Sequence, residues 1–365
     1  MAIFVTHSVF REPGWSHLHP LSGNRQAAVF DICKMLGWFD GNQVRQCETA
    51  SRDTLLAFHD ADYVDAVIAA SATGRVSSEI RNKYNIGTME NPVFERVFER
   101  AAASVGGAIL AAHEALMHGC AYHPAGGTHH GRRNTASGFC YFNDPVFAIQ
   151  TLIDAVATPV LYVDIDAHHG DGVELAFGDH PDVVLISTHE AGRWPHTGAN
   201  DGSGPVNAHN FPLPRGANDS EFMSLINGPI SDIARQTRPG SVVIVAGADC
   251  LKGDPLSAMA LSNLAFWHAI DTIRSFAPVQ VILGGGGYNP WTTVRAWTGL
   301  WGRLANLPFP ASLPEDAVKR LEAMSCDLID SEDMRPEWTT SLCDRPGEGP
   351  IRDEVRRLAE TVLAV

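Results

Sequence analysis

The 365-residue sequence lacks close cysteine pairs, basic clusters and long apolar runs. Its seven cysteines (33, 47, 120, 140, 250, 326 and 343) include no C-x-x-C pair. That excludes a disulfide framework and a zinc ribbon, and it fits reduced thiols in a cytoplasmic protein. Lys and Arg total 27 against 42 Asp and Glu, a formal net charge of −15. With no cationic cluster to hold phosphates, nucleic acid is excluded as a partner. The longest weakly apolar stretch, Ala101 to Ala112, is too short to span a bilayer, so no membrane is expected. Residues Met1 to His7 read as an opening strand with no charged leader and apolar core, so no signal peptide is expected. There is no G-x-S-x-G nucleophile elbow and no Walker A sequence. His113 and His118 are five apart, not the four of a metalloprotease helix.

What is present builds a large core: 45% of residues are hydrophobic and 19% charged. Short β-rich runs at Pro159–Ile165, Val183–Ser187, Val242–Ala246 and Val279–Leu283 alternate with stretches carrying apolar residues every three or four positions. Long continuous apolar strands separated by helices predict a parallel sheet covered on both faces. We therefore expect a single α/β domain over residues 1–310. Residues 311–349 hold ten acids, four bases, several prolines and no strong strand. They predict an irregular wrap ending in a helix near Asp353–Leu363, so that 311–365 belongs to the same domain.

Eleven of the sixteen histidines lie between His113 and His209. The densest motif, Asp164-Ile165-Asp166-Ala167-His168-His169-Gly170-Asp171-Gly172, follows an apolar strand. Alternation puts Asp164, Asp166 and His168 on one face, at the strand end where parallel sheets bind ligands. Two other strands run into Gly247-Ala248-Asp249-Cys250-Leu251-Lys252-Gly253-Asp254 and Gly284-Gly285-Gly286-Gly287-Tyr288. These loops share one sheet edge, so Asp254 can complete an Asp/His/Asp set with Asp166 and His168. Three protein ligands and an open position are the catalytic zinc pattern. Asp249 reads equally well as a turn or helix cap and is left unassigned. The four glycines fail the G-x-G-x-x-G spacing and predict a backbone that approaches a ligand closely and presents Tyr288. The pair His129-His130, in a Gly-flanked loop, suits general base work, with Asp164 and Asp171 available to fix the tautomers. Trp194 and Phe139 are candidates for the walls of an apolar tunnel.

These motifs together resemble the zinc-dependent histone deacetylase superfamily, within the arginase/deacetylase fold. The resemblance is carried by His19-Pro20 with Arg25, GGTHH (126–130), SGFCYFND (137–144), DIDAHHGDG (164–172), GADCLKGDP (247–255) and GGGGYNP (284–290). They stand in the family's order over most of residues 1–305. The segments after Gly253 and around Tyr288 look most similar to the bacterial branch named for acetoin utilisation. The resemblance implies one Zn2+ held by Asp166, His168 and Asp254. It implies His130, paired with Asp171, as general base and later acid, and His129, paired with Asp164, as electrostatic support. Tyr288 would donate to the oxyanion. Gly138, Phe139 and Trp194 would line the channel, with Leu261 near its rim. Glu90 aligns loosely with a family aspartate that grips the substrate backbone. A monovalent cation, K+ or Na+, is implied near Asp164, Asp166, His168, Ser187 and Thr188.

The implied activity is hydrolysis of the amide of an acetylated or short-acylated lysine-like amine, in a peptide, a protein or a small molecule. An acetylpolyamine substrate is the nearest alternative. Leu256 stands after Pro255, where an acidic gatekeeper for a second ammonium would be found in polyamine-specific relatives, and Glu90 is a possible substitute. A binuclear manganese ureohydrolase is a second alternative and needs bridging carboxylates beyond those present. A non-catalytic acyl-amine binder, left open by the fold, is a third. A homo-oligomer is compatible with the sequence.

Overall fold

The computed structural model describes residues 1–15, 19–21 and 24–361. Eight strands form one sheet: β1 Ala2–Thr6, β2 Val44–Gln46, β3 Cys120–His123, β4 Val160–Asp164, β5 Val183–Glu190, β6 Ala208–Leu213, β7 Ser241–Val245 and β8 Val279–Leu283. Their order is β2-β1-β3-β8-β7-β4-β5-β6, and every neighbouring pair is parallel. The predicted strands are found within a residue or so of their expected limits, except that β5 runs three residues further, to Glu190.

Both faces of the sheet are buried, which is why its central strands read as unbroken apolar runs. On β7, Val242 and Ile244 enter one core cluster with Trp267, Trp297 and Trp301. Val243 and Val245 enter the other, with Ala108, Ala111, Ala112 and Ile149. The first face is covered by helices Arg25–Met35, Asn263–Arg274 and Pro290–Leu304, the second by Val97–His118 and Asp144–Asp154. The helical stretch near 220–235 is broken into Asp219–Leu225 and Ser231–Thr237, because Gly228 and Pro229 interrupt the regular hydrogen-bond ladder.

The C-terminal stretch is more deeply built in than its composition suggests. It contains a helix at Glu315–Glu322, and Leu313, Ala317, Leu321, Trp338 and Leu342 all join the first core cluster. Its acids are spaced so that an apolar stripe survives between them, a periodicity the charge count obscures. The last helix is Asp353–Thr361; residues 362 and 363 of the expected helix lie outside the described residues. It is tied down by Arg352, whose Nε and Nη2 donate to Glu221 Oε1 and Oε2 at 2.6 and 2.7 Å.

The chain order explains where a site can form. β4 and β7 are neighbours, yet the chain leaves β4 towards β5 on one side and leaves β7 towards β8 on the other. At such a switch point the loops leaving neighbouring strands diverge and open a crevice beyond their carboxyl ends. The loops after β3, β4, β7 and β8 carry every charged motif singled out above.

Candidate metal centre and active site

The parity reading of β4 holds. Tyr162 packs on the second face with Val160, whereas Val163, Ile165 and Ala167 belong to the first. Asp164 and Asp166 therefore continue the Tyr162 side beyond the strand end. Asp164 Oδ2 accepts from Tyr162 Oη at 2.6 Å and lies 2.6 Å from His129 Nδ1, while Oδ1 accepts from the Asp166 amide at 3.1 Å. Tyr162 was not singled out from the sequence, although its position two residues before Asp164 on one strand face signals the contact.

The third carboxylate beside Asp166 and His168 is Asp249, which corrects the assignment of Asp254. Donor atoms of Asp166, His168 and Asp249 lie within 4.8 Å of one another, and all three residues are buried. His168 Nδ1 is 2.9 Å from Asp249 Oδ2 and 3.2 Å from Asp166 Oδ1. Asp249 sits in the turn Ala248–Cys250 directly after β7, and its Oδ1 accepts from the Ala167 amide at 2.8 Å. Asp254 is five residues further out. Its carboxylate is consumed by backbone, accepting from Tyr288 N at 2.6 Å, Asn289 N at 3.2 Å and Leu256 N at 2.9 Å. Burial and the neighbouring Asp249 raise its pKa against these hydrogen bonds. Proximity of each aspartate to its strand end is the sequence signal that favours Asp249.

The glycine loop presses its backbone onto these carboxylates. Gly286 N donates to Asp166 Oδ2 at 2.7 Å, and a Cβ on Gly286 would lie 2.1 Å from Asp249 Oδ2. The close approach expected of the glycines is thus to the carboxylates. It places Tyr288 beside His168, with ring centroids 6.3 Å apart. Arg25, fully buried, donates from Nη1 to the Gly287 carbonyl and stacks over Trp297 at 5.0 Å.

His129 and His130 lie 4.0 Å apart, centroid to centroid, and each is held through Nδ1 by an aspartate. His130 Nδ1 is 2.8 Å from Asp171 Oδ1, whose other oxygen accepts from Arg132 Nη2 at 2.7 Å. Burial acts against charge on both rings, with different outcomes. For His129 the opposing charges of Asp164 and Asp166 prevail and lift it to about 9. For His130 burial is joined by the positive His129, and it falls to about 4 despite Asp171. The loop bearing both is fastened by Asp144, a buried carboxylate that accepts from the amides of Gly127 and Thr128 at 2.9 and 2.8 Å. Burial pushes Asp144 up to about 6, against these hydrogen bonds.

A cavity between these groups is lined by His129, His130, Gly138, Phe139, Gly286 and Tyr288. Phe139 faces Tyr288 at 5.8 Å. Trp194 stands outside His130, its ring 4.6 Å away and 36% exposed, where it can wall a channel mouth. Leu261 does not lie at a rim: it is fully buried in the first core cluster and bridges Leu251, because a short β-bridge turns its side chain inward. Glu90 is half-buried and bound to the Gly138 amide. Ser187 pairs with Asp164 in the β4–β5 register, and Thr188 Oγ1 donates to the Asp164 carbonyl at 3.4 Å.

A domain model described as the histone deacetylase domain matches residues 19–304. The chain belongs to the histone deacetylase family. It is 32% identical over 356 residues to the acetoin utilization protein AcuC of Bacillus subtilis, covering 92% of this chain and 91% of that one. It is 33% identical over 300 residues to histone deacetylase 8 of Xenopus tropicalis, covering 80% of each. The crystal structure of an HDAC homolog from Aquifex aeolicus superposes with a TM-score of 0.93 at 32% identity over 99% of both chains. One of an HDAC homolog complexed with SAHA gives 0.93 at 31% identity. The family is one of hydrolases, and the fold is shared with both solved structures. Among the described residues no helix is long and apolar enough to cross a membrane.

Proposed function

We propose that this chain is a zinc-dependent amidohydrolase that removes an acetyl or related short acyl group from a lysine-like amine. The observation that carries the reading is the convergence of Asp166, His168 and Asp249 beside a histidine pair whose members are driven to opposite charge states. Two buried carboxylates that meet around one imidazole nitrogen repel each other; burial and Asp166 push Asp249 up to about 6. A divalent cation relieves that repulsion, and one nitrogen with two carboxylate oxygens is a donor set zinc accepts. Zinc held there would supply a Lewis acid for the acyl carbonyl and for the attacking water. Asp166, His168 and Asp249 would hold it.

The remaining chemistry belongs to the chain's own groups. His130, neutral at physiological pH and fixed by Asp171 with its Nε2 free, accepts the proton of the attacking water and returns it to the leaving amine. His129, kept positive by Asp164, stabilises the developing negative charge. Tyr288, whose ionisation is pushed well up by burial and by the nearby carboxylates, stays protonated and donates to the oxyanion. Gly138, Phe139 and Trp194 form the channel for the amine's stem. A monovalent K+ or Na+ at the paired ends of β4 and β5, near Asp164, Asp166, His168, Ser187 and Thr188, would brace the site from behind.

Turnover of an acetyl-lysine peptide by the zinc-loaded protein tests the reading. Tyr288→Phe should keep its zinc and lose about 10²–10³ in kcat; full activity in that variant overturns the mechanism. Asp249→Ala should lower zinc below one per chain while Asp254→Asn retains it, measured by elemental analysis.

A further inference from the structure

Glu90 is the acid the sequence offers for the distal end of a substrate, yet its carboxylate is already engaged by the protein. Oε1 accepts from the Gly138 amide at 2.8 Å, and Oε2 accepts from Asn85 Nδ2 at 2.8 Å. Asn85 in turn donates to the Ala136 carbonyl at 3.0 Å, so the acid is built into the strand of loop that precedes the wall. Among the described residues no Lys or Arg pairs with it.

The segment it holds is strained. Gly138 and Phe139 both adopt left-handed backbone, with φ of 54° and 68°, and a phenylalanine rarely does so. Such a conformation persists only where its surroundings over-determine it. Here Ser137 and Cys140 close the turn by reciprocal amide-to-carbonyl bonds of 3.1 and 2.8 Å, and Glu90 captures the Gly138 N–H between them. There is no room for the wall to shift inward: a Cβ on Gly138 would come within 2.5 Å of both His130 and Trp194. The carboxylate therefore sets how far Phe139 stands from Tyr288 across the channel.

We propose that Glu90 is a positioning residue for the Gly138–Phe139 wall and does not select a second ammonium on the substrate. Resting on the amidohydrolase reading, this names the substrate class as acylated lysine-type amines over acylated diamines, since both oxygens of Glu90 are already bonded within the protein.

Two conservative variants separate the roles. Glu90→Gln keeps an oxygen in reach of Gly138 but loses the charge and the acceptor for Asn85 Nδ2; Glu90→Asp keeps the charge and is one methylene too short. If Glu90 positions the wall, Glu90→Gln stays within about threefold of the parent on an acetyl-lysine peptide and on an N-acetylated diamine alike. Glu90→Asp then raises KM about fivefold or more on both, with kcat changed far less. Deuterium uptake of the segment 137–142 should follow the same split, unchanged in Glu90→Gln and faster in Glu90→Asp. A Glu90→Gln variant that loses about tenfold on the diamine alone, beside a parent-like Glu90→Asp, overturns the proposal. If the parent hydrolyses neither amide, the amidohydrolase reading fails, and uptake still decides the role of Glu90: no difference between the two variants overturns it.

Discussion

His129 and His130 are consecutive, equally buried and each held by one aspartate, yet they settle on opposite sides of neutrality. The difference comes from what stands behind each aspartate. Behind Asp164 are Asp166 and Asp249, further negative charge that holds a proton on His129. Behind Asp171 is Arg132, a cation that spends part of the carboxylate's charge, and the second His faces a ring that is already positive. One loop thus supplies a fixed charge and a proton acceptor from the same residue type. Catalytic pairs whose environments separate their titration are how acid and base roles are divided at one pH.

The comparison breaks most visibly at His130. His130→Ala should lower kcat by about 10³ or more in steady-state assays on zinc-loaded protein. Asp171→Asn should approach that loss for a specific reason. Arg132 claims the amide oxygen, so the NH2 faces His130 Nδ1 and forces the proton onto Nε2, where the base must be free. A loss at His129 equal to that at His130 would erase the division of labour. The smaller, second effect is at the other pair: Asp164→Asn removes the charge that lifts His129, which then becomes neutral, and should cost about 10–10² in kcat. Smallest is Arg132→Met. Because His130 titrates near 4 and His129 near 9, kcat/KM should fall as pH drops through the first value and fall again as pH rises through the second. Removing the guanidinium favours protonated His130, so the acid limb moves to higher pH by less than about one unit. A move to lower pH contradicts the account.

How far the sequence reveals this site depends on distance from the sheet. The strands and their order of charged endings are legible because period-two burial leaves a plain record, and Asp164, Asp166 and His168 are found by parity alone. Asp249 and Asp254 lie in one loop, between β7 and the helix that starts at Asn263, where no periodicity applies. Only the path of the turn after β7 aims the first at His168 and folds the second back onto the amides of Tyr288 and Asn289. Leu261 fails for the same reason: loop residues carry no marker of which way they face. The helix Glu315–Glu322 is missed differently, since its two buried positions, Ala317 and Leu321, are outnumbered by the charges around them.

The strand order has a consequence for synthesis. In chain order β1–β3 and β4–β6 are complete before β7 is made, and until then β3 and β4 lack the partners that cover their facing edges. Only β7 and β8 join them, pairing residues 120–123 with 280–283 across the longest separation in the sheet. Until then the nascent chain carries two open parallel edges, each a template for pairing with a neighbouring chain. The reaction centre takes one strand end from each set of three, β3 and β4, and the other two from β7 and β8, so Tyr288 joins it last and truncation before β8 leaves an incomplete site beside an open edge.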